Sequence, residues 1–339
     1  MIDALSGTYR LLAAEAMGVP PSQVSVLMVH RPHEDKDYAD QSVYFFFLDR
    51  EEFPSAVGKV GFDPAGAHYL EREHRGLQSL TGIVTSVPRE SVPQPLLYRE
   101  VAGHHVLLQS ALRGEKVGTW LNPGLRLNGR MGRFLGWAAD WNAALGKATR
   151  IDGRDYAQAL TEEFSAKIDR TGRSRALLDR ATQEVRAGFD GAFPAVLAHG
   201  DFCGENILGE NERYGVIDWE HCDQPSLPGY DILDLCLWIV CRIEDHLDPD
   251  PFAALERILN GRDPLAELLR RTLGRYAAGM GFRRELLPPL LTLAWVGYCL
   301  NKLRYLPQDE SGHFARARAG VRKILNTHAE VLWGDRAAG

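Results

Sequence analysis

Two apolar stretches, residues 195–198 and 214–217, enclose a polar loop that reads HGDFCGEN over positions 199–206, and Asp218 follows the second stretch directly. A fold that buries both stretches leaves His199, Gly200, Asp201, Asn206 and Asp218 at strand or loop ends, where side chains meet solvent or a ligand. The residue types have a shared chemistry. A loop carboxylate such as Asp201 accepts a hydrogen bond from a substrate hydroxyl and orients it. The Asn206 amide oxygen and the Asp218 carboxylate are hard oxygen ligands that suit Mg²⁺, with waters and phosphates completing the coordination. Transfer of a phosphoryl group from a nucleotide needs both functions and little covalent help beyond alignment.

The order and spacing match the kinase catalytic-loop pattern H-R-D-x-x-x-x-N, with Gly200 in place of the arginine. The segment resembles the loop of the aminoglycoside phosphotransferase and choline kinase superfamily, in which H-G-D-x-x-x-x-N precedes an I-D-x-E metal motif. Here that motif is Ile217-Asp218-Trp219-Glu220, and Pro228-Gly229-Tyr230-Asp231 is similar to the family's P-x-Y-D-L. The resemblance covers 195–240 most strongly and extends to 40–112. It implies an α+β, two-lobed protein-kinase-like fold, with an N-terminal antiparallel sheet plus helix and a mainly helical C-terminal lobe. It implies Asp201 as catalytic aspartate, Asn206 and Asp218 as metal ligands, and His199 and Asp231 as structural supports. Asp234 competes with Asp231 for that role, and both also suit the first turn of a helix, where the dipole favours acids. Glu220 is equally an outer-shell group or a solvated acid.

The periodicity supports the same division. A helix is expected near 4–17, then β-rich runs at 24–30, 42–48 and 55–60, a helix over 67–80, and strands at 96–101 and 105–111. Helical patterns then cover 131–145, 156–167, 175–189, 231–244, 251–259, 264–278, 286–305 and 314–333. The boundary is expected near 112, giving a nucleotide-binding lobe at 1–112 and a catalytic and acceptor lobe at 113–339, joined by a hinge. Lys59 stands in the third β run, where the kinase template has its phosphate lysine. Its partner is an acid on the following helix, Glu71 or Glu73; the wording REHRGLQSL resembles the family's R-E-x-x-x-L-x-x-L and points to Glu73. Backbone groups of about 109–112, with Gln109 and Ala111 as contacts, are expected to read the base, and Ser42 is a candidate phosphate contact. The connection 31–41 carries no glycine and departs from the phosphate-covering G-x-G-x-x-G loop.

Bulk properties narrow the partners. A formal net charge of −6 and a pI near 6.0 argue against nucleic acid, which demands a basic face. No apolar run reaches membrane-spanning length, and the N-terminus does not read as a signal peptide. Five cysteines without a CxxC pair suit a reducing cytosol. Cys203 is the one cysteine inside the catalytic loop and reads as an ordinary small loop residue.

The expectation is a cytoplasmic, monomeric or homodimeric kinase. It would transfer the γ-phosphate of ATP or GTP, with Mg²⁺, to a hydroxyl of an amino sugar, antibiotic, amino alcohol or related metabolite. Acidic clusters at 162–163, 244–245 and 248–250 are compatible with a cationic acceptor and equally with solvated helix faces. Trp137, Trp141, Trp238, Trp295 and Trp333 are compatible with stacking on an acceptor or with a core. Two rivals are a catalytically silent nucleotide- or partner-binding module, motivated by the glycine-free connection, and a metal-dependent hydrolase, which lacks a His-rich ligand set.

Overall fold

The computed structural model describes residues 2–30, 41–48, 51–82, 87–121, 129–167, 173–189, 192–222, 225–243 and 251–304. In chain order the first elements are α1 (Ile2–Met17), β1 (Val24–His30), β2 (Gln41–Leu48), β3 (Ala56–Gly61), α2 (Pro64–Thr81), β4 (Pro95–Val101), β5 (His104–Ser110) and β6 (Glu115–Lys116). Next come α3 (Val117–Trp120), α4 (Gly129–Thr149), β7 (Ile151–Asp152), α5 (Arg154–Lys167), α6 (Arg173–Gly188) and β8 (Pro194–Leu197). The last are β9 (Ile207–Glu210), β10 (Arg213–Val216), β11 (Pro225–Ser226), α7 (Tyr230–Ile243), α8 (Pro251–Asn260), α9 (Pro264–Met280) and α10 (Leu287–Arg304). The helix expected at 314–333 and the connection 31–40 lie outside the described residues, as do the acids at 244–250.

The chain divides into two compact units: Met1–Val117 with Glu205–Asp223, and Gly118–Gly204 with Gln224–Gly339. The first holds an antiparallel five-stranded sheet in the order β1-β2-β3-β5-β4. Strand alternation gives the sheet two faces. Tyr44, Phe46, Ala56, Val60, Val106 and Leu108 form one, and α1 covers it with Tyr9, Leu12, Ala13 and Ala14. The Tyr9 and Tyr44 rings meet edge to face at 4.9 Å, and burial pushes the Tyr9 hydroxyl up to about 12. Lys59 is one residue out of step with that set and belongs to the opposite face.

Helix α2 starts at a defined point. Asp63 Oδ1 accepts from the Gly66 N–H at 2.6 Å and Pro64 occupies the first turn, a standard N-terminal signal. Its buried stripe runs Leu70, Glu73, Leu77 and Leu80 at helical spacing, so one carboxylate lies in an otherwise apolar row. The hairpin β9–β10 pairs with β6 to complete this unit.

The second unit is mainly helical. Helix α4 packs along α9, and α10 packs on α6 and α7. Asp263 caps α9 by accepting from the Leu265 and Ala266 N–H groups, and Gly281 ends it in the left-handed region. Strand β8 lies between β7 and β11 and leads into the 199–204 loop.

Candidate active site

In the first unit, sheet and helix converge on one cation. The Lys59 ammonium donates to both Glu73 carboxylate oxygens at 2.7 Å and also to Asp218 Oδ1. Glu73 is fully buried and Lys59 nearly so. Glu71 instead pairs with Arg75 on the exposed side of α2. Burial opposes the charge on Lys59, but the carboxylates of Asp218, Glu73 and Glu220 outweigh it and hold the ammonium well above the usual lysine range. Burial raises Glu73 above the usual carboxylate range, while Lys59 and the Trp219 backbone pull it back.

Asp218 reaches this lysine because the chain beyond β10 runs against α2. A Cβ at Gly76 would stand 3.0 Å from the Trp219 carbonyl oxygen and 3.2 Å from Cys222 Cβ, so a side chain here would press the two backbones apart by a few tenths of an ångström. Asp218 itself sits at φ 64°, an uncommon backbone for a non-glycine residue and one that recurs at functional sites. The Trp219 ring is fully buried and donates to the Val216 carbonyl at 2.9 Å, locking the turn. At the base of the hairpin the Ile217 N–H donates to the Asn206 carbonyl at 2.9 Å, which sets Asn206 beside the segment that leads from β10 to Asp218. An amide oxygen and a carboxylate on adjacent strand ends fit a hard divalent cation that keeps waters and takes phosphate oxygens. Among the described residues there is no cluster of three or more His, Cys, Asp or Glu suited to a metal.

The residues expected to meet the nucleotide base divide. Cross-strand register aligns Leu27, Phe45, Val57, Gln109 and Pro95 in one row across the sheet. The adjacent row on the same face contains Val43, Lys59, Leu107 and Tyr98. The Gln109 side chain is 3% exposed and its Oε1 has no hydrogen-bond partner. Such an oxygen is costly to leave unpaired in the interior. Ala111 is half-buried and its N–H already donates to the Ser55 carbonyl at 3.1 Å. With Gln94, Ser110, Leu112 and Tyr214 it helps to line a cavity of about 490 Å³. Ser42 stands opposite Val60 in the register, and its side chain lies outside the described residues.

The second unit carries the aspartate loop. The buried Asp231 carboxylate, in the first turn of α7, accepts from the His199 N–H at 2.7 Å and the Gly200 N–H at 3.0 Å. Burial raises Asp231 above the usual carboxylate range, against the pull of His199 and the two peptide N–H groups. Gly200 adopts φ 86°, which a side chain would strain. His199 is fully buried, and its Nδ1 accepts from the Asp201 N–H at 3.3 Å. Phe202 stacks on Trp141 at 5.6 Å, anchoring the loop to α4. Asp201 remains half-exposed between these anchors.

Of the features compatible with an acceptor, the described ones differ in setting. Glu162 and Glu163 bind Gln158 and Lys167 along their own helix face. Trp141 and Trp295 are core residues, Trp137 and Trp238 are half-buried, and Trp333 is outside the described residues. Sequence reasoning gave no place to Asn301, whose amide donates to the Tyr230 hydroxyl at 3.0 Å and the Gly200 carbonyl at 3.4 Å. No local pattern in α10 marks it.

A family model for the phosphotransferase enzyme family matches residues 37–286, about three quarters of the chain. The chain belongs to that family. No curated protein matches the sequence. Among solved structures, the chain is similar to the aminoglycoside phosphotransferase APH(3'')-Id of Streptomyces rimosus. The identity is 17% and the TM-score 0.45, with 86% of this chain and 98% of that one covered. It is similar to aminoglycoside 2'-phosphotransferase-IIIa in a GDP complex at 16% identity and TM-score 0.45, covering 92% and 91%. It is also similar to the Mycobacterium tuberculosis PknI kinase domain at 14% identity and TM-score 0.36, covering 81% and 96%. Identities and TM-scores this low leave the family match to carry the assignment.

Proposed function

We propose that this phosphotransferase-family protein is a small-molecule kinase that moves the γ-phosphate of ATP or GTP to a hydroxyl. The acceptor class we infer is an amino sugar, antibiotic, amino alcohol or related metabolite. The observation that carries the reading is the Lys59 ammonium, nearly buried and held at 2.7 Å by both oxygens of Glu73 with Asp218 on the same nitrogen. A buried, always-charged lysine beside a metal-suited carboxylate is the equipment for binding polyphosphate, and a structural core has little use for it.

Position supports the following roles. Glu73 orients Lys59, whose ammonium exchanges part of its carboxylate contact for phosphate oxygens. Asn206 and Asp218 would hold Mg²⁺, which neutralises phosphate charge. Val57 and its row form an apolar surface for a purine, and Gln109 is the one polar residue of that row. The Lys59 row lies two residues further along the strand, about 7 Å away at ordinary strand rise, a spacing compatible with a nucleotide laid along the face. Asp201 accepts a hydrogen bond from the acceptor hydroxyl, aims that oxygen at the γ-phosphorus and takes its proton as the bond to phosphorus forms. Residues 1–112 serve the nucleotide and 113–339 serve catalysis and the acceptor in this scheme. The same proposal places the protein in the cytosol as monomer or homodimer, in keeping with its five free cysteines. Among the described residues no helix is long and apolar enough to cross a membrane.

The test is Asp201→Asn. Transfer to the acceptor should fall about a thousandfold, while Mg-nucleotide binding by calorimetry stays close to wild type. Turnover at the wild-type rate in that variant would remove Asp201 from its assigned role.

A further inference from the structure

Asp201 is aimed by the peptide plane that precedes it, and both ends of that plane are held by side chains. The plane joins the Gly200 carbonyl to the Asp201 N–H. On one side the Asp201 N–H donates to His199 Nδ1 at 3.3 Å. On the other the Gly200 carbonyl accepts from Asn301 Nδ2 at 3.4 Å. A peptide unit is rigid, so its orientation is set by rotation about its two flanking bonds alone. Gly200, at φ 86°, resists that rotation less than any other residue would. With no side chain to restrict it, the loop depends on partners from outside.

We propose that Asn301 is a positioning residue for phosphoryl transfer, fixing the Gly200–Asp201 peptide and with it the direction of the Asp201 carboxylate. The geometry supplies both requirements. The amide is itself oriented, because the same Nδ2 donates to the buried Tyr230 hydroxyl at 3.0 Å. Tyr230 neighbours Asp231, whose carboxylate holds the preceding N–H groups of His199 and Gly200. Helix α7 therefore grips the loop by its N–H groups, and α10, a hundred residues downstream, grips it by a carbonyl. Without Asn301, the peptide is held at its N–H end only and can rock about Gly200. Substrate and nucleotide contacts are untouched, while alignment of the reacting oxygen is lost. A misplacement of about 1 Å costs an enzyme up to about a hundredfold in rate.

This inference rests on Asp201 acting as proposed above, and the experiment separates the two. Asn301→Leu removes the donor while keeping the branching and the number of side-chain heavy atoms. The expected result is a fall of about tenfold in kcat with KM for nucleotide and acceptor within about twofold. Hydrogen–deuterium exchange of the peptide spanning 197–204 should speed up about tenfold in the absence of any ligand. Unchanged kcat and unchanged exchange in the folded variant overturn the proposal, as does a loss confined to KM. If Asn301→Leu does not fold, Asn301→Ala, which lacks the donor and adds no charge next to the Gly200 carbonyl, is read the same way. Absence of transfer by the wild-type protein to any acceptor would contradict the kinase reading, and the exchange measurement would still decide whether Asn301 holds the loop.

Discussion

Lys59 shows how a single residue can be both the most constrained and the most informative in a site. Removing its charge leaves Glu73 buried without its cation, so Lys59→Met should destabilise the fold by about 3 kcal/mol at pH 7. The sign of its pH dependence follows from linkage. Burial already raises Glu73 above the usual range with Lys59 pulling it back, so without Lys59 its folded pKa rises further. A folded state that binds more protons than the unfolded one loses stability as pH rises above the unfolded glutamate value of about 4.3. The deficit of Lys59→Met relative to wild type, from denaturant melts at several pH values, should therefore shrink as pH falls toward about 4.5. A deficit independent of pH would contradict the arrangement. Much of this was legible beforehand: the loop motif carries Asp201, Asn206 and Asp218 in order, and Glu73 stands three residues after Leu70 and four before Leu77, inside the apolar stripe, where Glu71 does not. Asn301 was not legible, because it meets Gly200 only through tertiary packing, and neither was the unpartnered Gln109 oxygen.

At the level of elements, the β-rich runs at 42–48 and 55–60 and the leucines on one side of 67–80 foretold the strands and the helix that follows them. The two-residue strands at Glu115–Lys116, Ile151–Asp152 and Pro225–Ser226 carry no period to read and exist because a longer neighbour pairs with them. Helix α2 also reveals a constraint on its own placement. A Cβ at Gly61 would lie 2.6 Å from the Gly66 carbonyl carbon and 2.8 Å from the Ala67 nitrogen. Those are backbone atoms of the first helical turn, which cannot swing aside as a side chain would. Gly61→Ala should shift the start of α2 off β3 and destabilise the fold by about 2 kcal/mol. Because Glu73 rides on that helix, nucleotide affinity should fall as well. Calorimetric binding and a melt of the same preparation check both, and an unperturbed variant would mean that the contact is softer than the geometry states.

For the whole molecule, the family match makes this chain a phosphotransferase-family protein, and the nucleotide donor and hydroxyl acceptor are what the proposed function adds to it. Lys59, Asn206 and Asp218 belong to one unit and Asp201 to the other, so the account stands on their acting on the same phosphoryl group. Phosphorus NMR of the wild-type protein with Mg-ATP or Mg-GTP and a panel of amino sugars, amino alcohols, nucleosides and macrolides tests that directly. The account predicts loss of the γ-phosphate signal matched by a new phosphomonoester on one acceptor class. Intact nucleotide across the whole panel, or orthophosphate with no phosphorylated acceptor, would contradict it.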